Sequence, residues 1–293
     1  MRFDADTAVI GVDGGGTSCR FALESRGQRH ELKLGSANVT TDFDGALATI
    51  RTGLDRLCAE AGLDPAELSG ISAYLGLAGV LDDENARRLR AELPFRAVQI
   101  EDDRRSAVRG ALGDADGSLA GVGTGSFLAR QSGGRIRLVG GWGARLGDEA
   151  SGFWIGHRAL AATLDSHDGL IAPTDLTSAL LAKFGGRPGG IVRFGRGAVP
   201  AEFGALAPLV IDAAAAGDPV GRQVLESGAR YLSETLRKMG WRHGEALCLI
   251  GGVAGAYRPY LPAEMVEALV APRGTALDGA LSLARRIRDG LPA

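Results

Sequence analysis

Residues 8–20, with the sequence AVIGVDGGGTSCR, constrain the fold more than any other part of this chain. Residues 8–12 are typical of a buried strand, and residues 19–24 can return as a second strand. The three glycines between them permit a tight turn whose N–H groups can approach an anion. Asp13, before the glycines, can hold Mg²⁺ or its waters while the turn holds phosphate oxygens. An ordinary glycine-rich hairpin is the alternative that the glycines alone leave open.

Two common phosphate-binding motifs are excluded at this segment. A P-loop requires a Lys followed by Ser or Thr after its last glycine, and then a helix. A dinucleotide-binding fingerprint also requires a helix that opens at the glycines. Here residues 19–24 alternate like a strand, so a hairpin is predicted instead.

Composition indicates a globular protein with ordinary surface chemistry. The 293 residues are enough for two domains, and 45% hydrophobic with 23% charged residues is typical of a folded chain. The net charge of −2 gives no reason to expect nucleic acid or an anionic membrane as a partner. No apolar run approaches a membrane span, and the acidic start does not resemble a signal peptide. Cys19, Cys58 and Cys248 lie far apart in apolar contexts, which predicts free buried thiols and a cytoplasmic protein.

The first third of the chain follows the order β-β-β-α-β-α-β-α. Asn38 lies in a polar loop, residues 35–45, where it is either a turn residue or a ligand-binding amide. Asp103 lies where the strand at 96–100 gives way to the helix at 104–112, which is the usual ligand edge of an α/β sheet. A helix N-cap without chemistry is the alternative for Asp103.

The pattern of the opening repeats after a turn cluster at residues 113–117. An apolar strand at 118–122 leads into a glycine and hydroxyl tip at 123–126, and two further strands follow at 127–131 and 135–139. Two copies of a three-stranded meander with a glycine-rich tip predict a duplicated fold. We therefore expect one domain over residues 1–115 and a second over residues 116–293.

The rest of the chain is mostly helical. Asp148 and Glu149 precede a predicted helix at 151–164, where they either cap that helix or face a ligand, and Trp142 either packs or lines the same site. Residues 185–197 are predicted to be a connecting loop between helices at 175–184 and 201–216, and another helix follows at 219–239. A buried strand at 246–252 ends in two glycines, where a nucleoside can lie flat against the backbone. A helix is expected from about Val253, and the last helix, 277–287, can pack back on the first domain.

Several of these segments together resemble one superfamily. The chain is similar to the actin-like, RNase H-fold ATPases and sugar kinases, and within them to the BadF/BadG/BcrA/BcrD ATPase family with its N-acetylglucosamine and glucosamine kinases. The segments that carry the resemblance are GVDGGGTSCR (11–20), GVGTGS (121–126), GGWGARLGDEASGFWIGHRAL (140–160), CLIGGVA (248–254) and DGAL (278–281). The resemblance implies a two-domain α/β fold of the actin or hexokinase type, with nucleotide and sugar bound in a cleft between domains.

The resemblance also implies roles for individual residues. Nucleotide contacts are expected at Asp13, Gly14, Gly15, Gly16, Thr17, Gly123, Thr124, Gly125, Gly251 and Gly252, with Asp13 also holding Mg²⁺. Sugar contacts are expected at Asn38, Asp103, Ser126, Gly141, Trp142, Gly143 and Asp148. Asp103 rather than Asp102 matches the catalytic base, because the family pattern Asp-x-x-x-Ala is completed by Ala107.

These matches predict an ATP-dependent kinase that phosphorylates the 6-hydroxyl of glucosamine or N-acetylglucosamine. Phe127 departs from the family, which has a polar, sugar-contacting residue such as Asn at this position, so the resemblance leaves the preferred sugar open. The alternatives are a kinase for another hexose, a partner-activating ATPase with a cysteine-bound iron–sulfur cluster, and a sugar-sensing repressor. His157 and His167 have no cysteine cluster nearby, which argues against a zinc site. A homodimer is expected from the resemblance alone.

Overall fold

The computed structural model describes residues 7–16, 18–80 and 82–291. The chain divides into two compact units, one formed by Met1–Ala115 with Pro272–Ala293 and the other by Asp116–Ala271. The range 116–293 expected for the second domain is therefore too long at its C-terminal end. The last helix, α11 (Ala276–Arg288), belongs to the first unit, where Leu277, Ala280 and Leu281 pack with strand residues of that unit.

The first unit is built on a five-stranded mixed sheet with the order β3-β2-β1-β4-β5. Strands β1, β2 and β3 form an antiparallel meander, while β4 and β5 run parallel to β1. The strands are β1 (Val9–Gly14), β2 (Cys19–Ser25), β3 (Gln28–Leu34), β4 (Ser72–Leu77) and β5 (Val98–Glu101). Helices α1 (Phe43–Ala61), α2 (Asp83–Glu92), α3 (Asp103–Leu112) and α11 complete the unit, with a 3-10 turn at Pro65–Gly70.

The second unit repeats this topology with the order β10-β9-β6-β7-β8. Its strands are β6 (Gly117–Val122), β7 (Ser126–Ser132), β8 (Arg135–Gly140), β9 (Leu247–Ile250) and β10 (Leu269–Val270). Its helices are α4 (Gly152–His167), α5 (Asp175–Lys183), α6 (Pro188–Gly197), α7 (Pro200–Gly204), α8 (Ala207–Ala215), α9 (Pro219–Lys238) and α10 (Ala263–Glu267), with a 3-10 turn at Ala254–Tyr260. Each unit thus has an antiparallel meander joined to parallel strands, which confirms the predicted duplicated α/β fold.

Helix α1 shows how local sequence sets these elements. The Asp42 side chain accepts a hydrogen bond from the Gly45 N–H and so begins the helix, because the first N–H groups of a helix lack internal partners. Its apolar face is buried, including Ile50 and Leu54. Gly62 ends the helix with a φ of 67°, a conformation that glycine adopts without a steric penalty. Residues 42–62 thus contain the start, the buried face and the end of this helix.

The connecting loop predicted for residues 185–197 is wrong, because residues 188–197 form α6. Pro188 fits the first turn of a helix, where its missing N–H costs nothing. Ile191 is buried, and the ring of Phe194 lies 4.8 Å from that of Phe184 and 4.9 Å from that of Phe203. These tertiary contacts offset the poor helix propensity of the glycines.

Two other predicted helices differ from the structure. The helix expected at 201–216 is divided into α7 and α8, with a proline in the first turn of each. The helix expected from about Val253 is instead a 3-10 turn that contains Pro259. Proline inside a helix removes a hydrogen bond and clashes with the preceding turn, so a regular α-helix does not form there.

Cys19, Cys58 and Cys248 are buried free thiols, as predicted. Within residues 7–16, 18–80 and 82–291, no single helix is long and apolar enough to cross a bilayer. The segments Pro200–Ala215 and Pro219–Lys238 together have the length and apolar composition of a membrane span, but a bend of 109° separates them.

Candidate functional site

The first glycine-rich tip joins β1 to β2 and is held by backbone hydrogen bonds. The Gly15 N–H donates to the Ser18 carbonyl at 2.9 Å, and the Gly14 carbonyl accepts from Ala78 at 2.7 Å. A Cβ added at Gly16 would meet no atom closer than 4.0 Å, so space beside this residue is open. Thr17, predicted to contact ATP, lies outside the described residues. The described part of the tip fits a backbone cradle for phosphate.

Asp13 stands at the end of β1, directly opposite Arg20 on β2. Its Oδ2 lies 3.3 Å from the Arg20 Nη1, and the arginine side chain is half exposed. Burial raises the pKa of Asp13 above its ordinary value, while the Arg20 charge acts in the opposite direction. No group of three or more His, Cys, Asp or Glu among the described residues could hold a metal. Asp13 still fits Mg²⁺, because this ion in phosphoryl-transfer sites takes one or two carboxylates and completes its shell with phosphates and water.

Strand register brings Asp103 to the same edge of the sheet as Asp13. Asp13 on β1 pairs with Gly76 on β4, and Gly76 pairs in turn with Glu101 on β5. Asp103 begins α3 two residues beyond Glu101. A Cβ added at Gly76 would overlap the Ser106 hydroxyl and lie 3.3 Å from the Asp103 Cα, so the first turn of α3 rests against β4.

The three consecutive acids at this strand end have different environments. Glu101 accepts a hydrogen bond from the Tyr74 hydroxyl at 3.0 Å. Asp102 caps α3 by accepting from the Arg104 N–H at 2.9 Å and also pairs with the Arg104 Nε at 2.5 Å. Among the described residues, Asp103 makes no ion pair. The N-cap role considered for Asp103 therefore belongs to Asp102, which leaves the Asp103 carboxylate available for chemistry.

The environment of Asp103 also disfavours its charge. Burial, followed by the negative charges of Asp102 and Asp13, raises the pKa of Asp103 to about 7. A carboxylate whose pKa lies near neutrality can accept a proton and release it again under physiological conditions. Raised carboxyl pKa values of this kind are common at catalytic sites.

Asn38 supports the turn that follows β3. Its Oδ1 accepts hydrogen bonds from the N–H groups of Thr40 and Thr41, both at 3.1 Å. This is the turn role considered for Asn38, and it uses only the oxygen of the amide. The Nδ2 group makes no hydrogen bond to a described residue, so the side chain can both hold the turn and donate to a ligand.

The second glycine-rich tip, between β6 and β7, is attached to the start of α4. The Gly123 carbonyl accepts from the Gly152 N–H at 2.7 Å, and the Thr124 carbonyl accepts from Phe153 at 3.2 Å. A Cβ added at Gly123 would meet no atom within 4 Å, and Thr124 is exposed. This tip therefore offers an open backbone surface at Gly123, while the first N–H groups of α4 bond to the carbonyls of the tip.

Asp148 is buried beside this tip, with 7% of its surface exposed. Its carboxylate accepts hydrogen bonds from the N–H groups of Ser126, at 3.3 Å, and Gly143. Burial raises the pKa of Asp148, and the two N–H groups partly oppose that effect. A Cβ added at Gly125 would lie 2.8 Å from the Asp148 Oδ2, so a side chain here would displace the Asp148 carboxylate.

The loop that contains Asp148 presents an exposed tryptophan. Trp142 is 67% exposed, so the interpretation that it merely packs in the core is wrong. It lies between Gly141 and Gly143, whose φ values are 73° and 84°. Side chains larger than glycine rarely adopt this conformation, which explains the Gly-Trp-Gly sequence. The ring of Trp142 is consequently available to a ligand.

The two glycines after β9 lie against the end of β6. Gly251 has a φ of 104°, and a Cβ added there would overlap the Val122 carbonyl. The same carbonyl accepts from the Val253 N–H at 3.2 Å. Gly252 is exposed, and a Cβ added there would meet no atom within 4 Å. The space beside Gly252 is therefore open to a flat group, and nucleoside binding there stays a prediction.

Phe127 is held by packing within the second sheet. It pairs with Gly121 across β6 and β7, and a Cβ added at Gly121 would overlap its ring. The side chain that departs from the family pattern thus occupies the space above a glycine.

One buried group near Asp148, the Tyr257 hydroxyl, has no signal in the sequence. The Tyr257 hydroxyl donates to the Ala150 carbonyl at 2.6 Å, across 107 residues of sequence. No local pattern around Tyr257 indicates this contact, because it depends on how the 3-10 turn after β9 packs.

Comparison with known proteins gives a consistent assignment. The model of the BadF/BadG/BcrA/BcrD ATPase family matches residues 10–271. The glucosamine kinase GspK of Vibrio cholerae is 28% identical over 290 residues, which cover 96% of this chain and 99% of that protein. The N-acetylmuramic acid/N-acetylglucosamine kinase of Clostridium acetobutylicum is 28% identical over 239 residues, 76% of each chain.

A solved structure extends the similarity to three dimensions. It is that of a Chromobacterium violaceum protein provisionally named an N-acetylglucosamine kinase, with 32% sequence identity and a TM-score of 0.86. The match covers 96% of this chain and all of the other. Because the family model spans most of the chain, this protein belongs to the BadF/BadG/BcrA/BcrD ATPase family.

Proposed function

We propose that this protein is an ATP-dependent amino-sugar kinase that transfers the γ-phosphate of ATP to the 6-hydroxyl of glucosamine or N-acetylglucosamine. The observation that carries the proposal is the Asp103 carboxylate, free of ion pairs among the described residues and with a pKa raised to about 7. The similarity to a glucosamine kinase over nearly the full length of both chains supports this substrate class.

In this proposal Asp103 is the general base. It accepts the proton of the sugar 6-hydroxyl as that oxygen attacks the γ-phosphorus of ATP. The new O–P bond forms while the bond from the γ-phosphorus to the bridging oxygen of ADP breaks, and the proton later passes from Asp103 to solvent. Phosphoryl transfer has a loose transition state, so orientation of the hydroxyl contributes more than the strength of the base.

The glycine-rich segments are proposed to bind the nucleotide. Backbone N–H groups at the two tips, with Thr17 and Thr124, would contact phosphate oxygens, and the turn at Gly251 and Gly252 would contact the nucleoside. Asp13 would hold Mg²⁺, which neutralises phosphate charge when it is bound. The half-exposed Arg20 can turn toward solvent when the charge of Mg²⁺ replaces its own beside the mostly buried Asp13.

Several polar groups are proposed to bind the sugar. Asn38 would donate through its Nδ2, and Asp148 would accept from a sugar hydroxyl through its carboxylate. Trp142 would cover an apolar face of the ring, as aromatic side chains often do for amphipathic ligands. Ser126, Gly141 and Gly143 complete the proposed set, while the apolar Phe127 supplies no hydrogen bond.

A coupled ADP-release assay with Mg·ATP tests the proposal. The panel comprises glucosamine, N-acetylglucosamine, glucose, mannose and N-acetylmuramate. We expect ADP release that depends on an amino sugar, and mass spectrometry should place the phosphate on O6. ADP release independent of every sugar would overturn the proposal and favour an ATPase that acts on a protein partner.

The cysteines argue against the alternative function, an ATPase that activates a partner enzyme through an iron–sulfur cluster. A bridging iron–sulfur cluster requires exposed thiolates, whereas Cys19, Cys58 and Cys248 are buried and burial raises the pKa of each. We place the reaction in the cytoplasm, where ATP is available. A homodimer remains an expectation from the family, and light scattering of the purified protein would test it.

A further inference from the structure

The backbone around Asp148 is left-handed at two positions. Asp148 has a φ of 64° and Ala150 a φ of 68°, although neither residue is glycine. Aspartate adopts this conformation more readily than most residues, but for Ala150 it is unfavourable and persists only where surrounding contacts impose it. Backbone strain of this kind is common at functional sites. The contacts that hold residues 148–150 in this conformation also determine the position of the Asp148 carboxylate.

Contacts from three other elements hold this strained segment. At the start of β7, the Ser126 N–H donates to the Asp148 Oδ1, and its Oγ donates to the Glu149 carbonyl at 2.6 Å. On α9, burial raises the pKa of the Tyr231 hydroxyl, and the Glu149 carboxylate lies close enough to help raise it. The third contact is the bond of 2.6 Å from the Tyr257 hydroxyl to the Ala150 carbonyl.

Tyr257 is the most firmly placed of these groups. Its side chain is completely buried in the core of the second unit. Gly228 on α9 makes room for the ring, since a Cβ there would lie 2.6 Å from both its Cε1 and its Oη. The hydroxyl is therefore fixed by packing, and it satisfies a buried carbonyl that cannot bond to water.

We propose that Tyr257 is a positioning residue for the sugar-binding carboxylate of Asp148. Its hydroxyl holds the Ala150 carbonyl and thereby keeps residues 148–150 in their strained conformation. Tyr257 itself touches neither substrate nor reacting atoms in this scheme. The inference rests on the proposed function, because that function assigns sugar binding to Asp148. The hydrogen bond from Tyr257 to Ala150 is nevertheless present in the protein without ligands.

The test compares Tyr257→Phe with Tyr260→Phe. The first variant removes only the hydroxyl and keeps the buried ring. The second makes the same chemical change in the same 3-10 turn, on a partly buried side chain. Loss of one buried hydrogen bond changes equilibria about tenfold. We therefore expect Tyr257→Phe to raise the KM for the amino sugar about tenfold, with the KM for ATP and kcat changed less than about threefold.

Hydrogen exchange of the ligand-free protein supplies a readout that does not depend on activity. Amides in residues 146–152 should exchange about tenfold faster in Tyr257→Phe than in the unchanged protein, and at the unchanged rate in Tyr260→Phe. If this segment exchanges equally in all three proteins, the positioning role is overturned. If the segment loosens but the unchanged protein phosphorylates no sugar, the proposed function fails while the hold by Tyr257 stands.

Relief of the strain provides a second variant. Glycine adopts a φ of 68° without steric cost, so Ala150→Gly should slow exchange at residues 148–150 and move the sugar KM of Tyr257→Phe back toward its original value. This single substitution can be examined alone if Tyr257→Phe does not fold. Faster exchange in folded Ala150→Gly would contradict the strain on which the inference depends.

Discussion

Replacing Asp103 by Asn should make the ligand-free protein more stable at pH 8 while nearly abolishing kinase activity. The pKa of Asp103 is raised from 3.8 to about 7, so the folded state disfavours the charged carboxylate. The resulting penalty is absent below the unfolded pKa, grows as the pH rises from 3.8 to about 7, and is complete above that range. Asn has nearly the same shape and carries no charge, so it removes the penalty.

The size of the effect follows from the same difference in pKa. At 1.36 kcal/mol for each pKa unit, the interval from 3.8 to about 7 corresponds to at most about 4 kcal/mol at pH 8. Asp103 keeps partial contact with solvent, which screens the nearby charges, so we expect a gain of about 1–3 kcal/mol. At pH 4.5 the gain should be below about 1 kcal/mol, because the native carboxyl is already protonated.

The assay must report on the first unit and exclude Mg²⁺, whose charge near Asp13 would favour ionised Asp103. Trp142, Trp154 and Trp241 all lie in the second unit, so tryptophan fluorescence is unsuitable. Denaturant-dependent hydrogen exchange of peptides from β5 and α3, in EDTA at pH 8 and at pH 4.5, reports on the relevant structure. Exchange rates are corrected for the intrinsic effect of pH.

Two results would refute the reasoning about Asp103. Equal or lower stability of Asp103→Asn at pH 8 would mean that the carboxylate is not held in an unfavourable environment. Turnover within about tenfold of the unchanged protein would mean that Asp103 is not the base, since general-base catalysis contributes roughly 10²–10⁴-fold. Asp102→Asn is the matched control, and it should lower stability because Asp102 pairs with Arg104.

Three further substitutions test the remaining site residues. Asn38→Asp keeps the oxygen that holds the turn but loses the Nδ2 donor. The KM for the sugar should therefore rise about tenfold with little change in melting temperature, whereas an unchanged KM would mean that Asn38 serves the turn alone. Gly125→Ala should displace the Asp148 carboxylate, which would lie 2.8 Å from the new Cβ, and titration calorimetry should then detect weaker sugar binding; unchanged sugar affinity would contradict the role of Asp148. Gly251→Ala should weaken ATP binding by at least tenfold, because its φ of 104° and the Val122 carbonyl both oppose a side chain; normal nucleotide affinity would contradict that role.

Much of the fold could be predicted because its signals are local. The alternation of residues 8–12 and 19–24 around a glycine turn predicts a hairpin, and α1 has a cap, an apolar face and a glycine end within one segment. The repeat of the meander at residues 117–140 predicted the second sheet. The signals failed at α6, where Ile191 and Phe194 stabilise a glycine-rich helix through residues distant in sequence.

The site was less predictable, since side-chain partners decide which of several acids can act. The sequence places Glu101, Asp102 and Asp103 side by side and offers only a family pattern to choose among them. In the structure, Glu101 accepts a hydrogen bond from Tyr74, and Asp102 forms an ion pair with Arg104. Asp103 remains, and its raised pKa arises from burial and neighbouring charge that no local pattern reveals.

Local sequence is sufficient to specify the two glycine-rich tips, the duplicated order of strands and the identity of the residues at the strand ends. These depend on backbone conformation and on hydrophobic periodicity, which act over a few residues. The exposure of Trp142 and the hydrogen bond from Tyr257 to Ala150 arise only from tertiary packing, which also assigns α11 to the first unit. Each of these depends on packing between segments far apart in the chain, where burial sets the cost of leaving a polar or charged group without a partner.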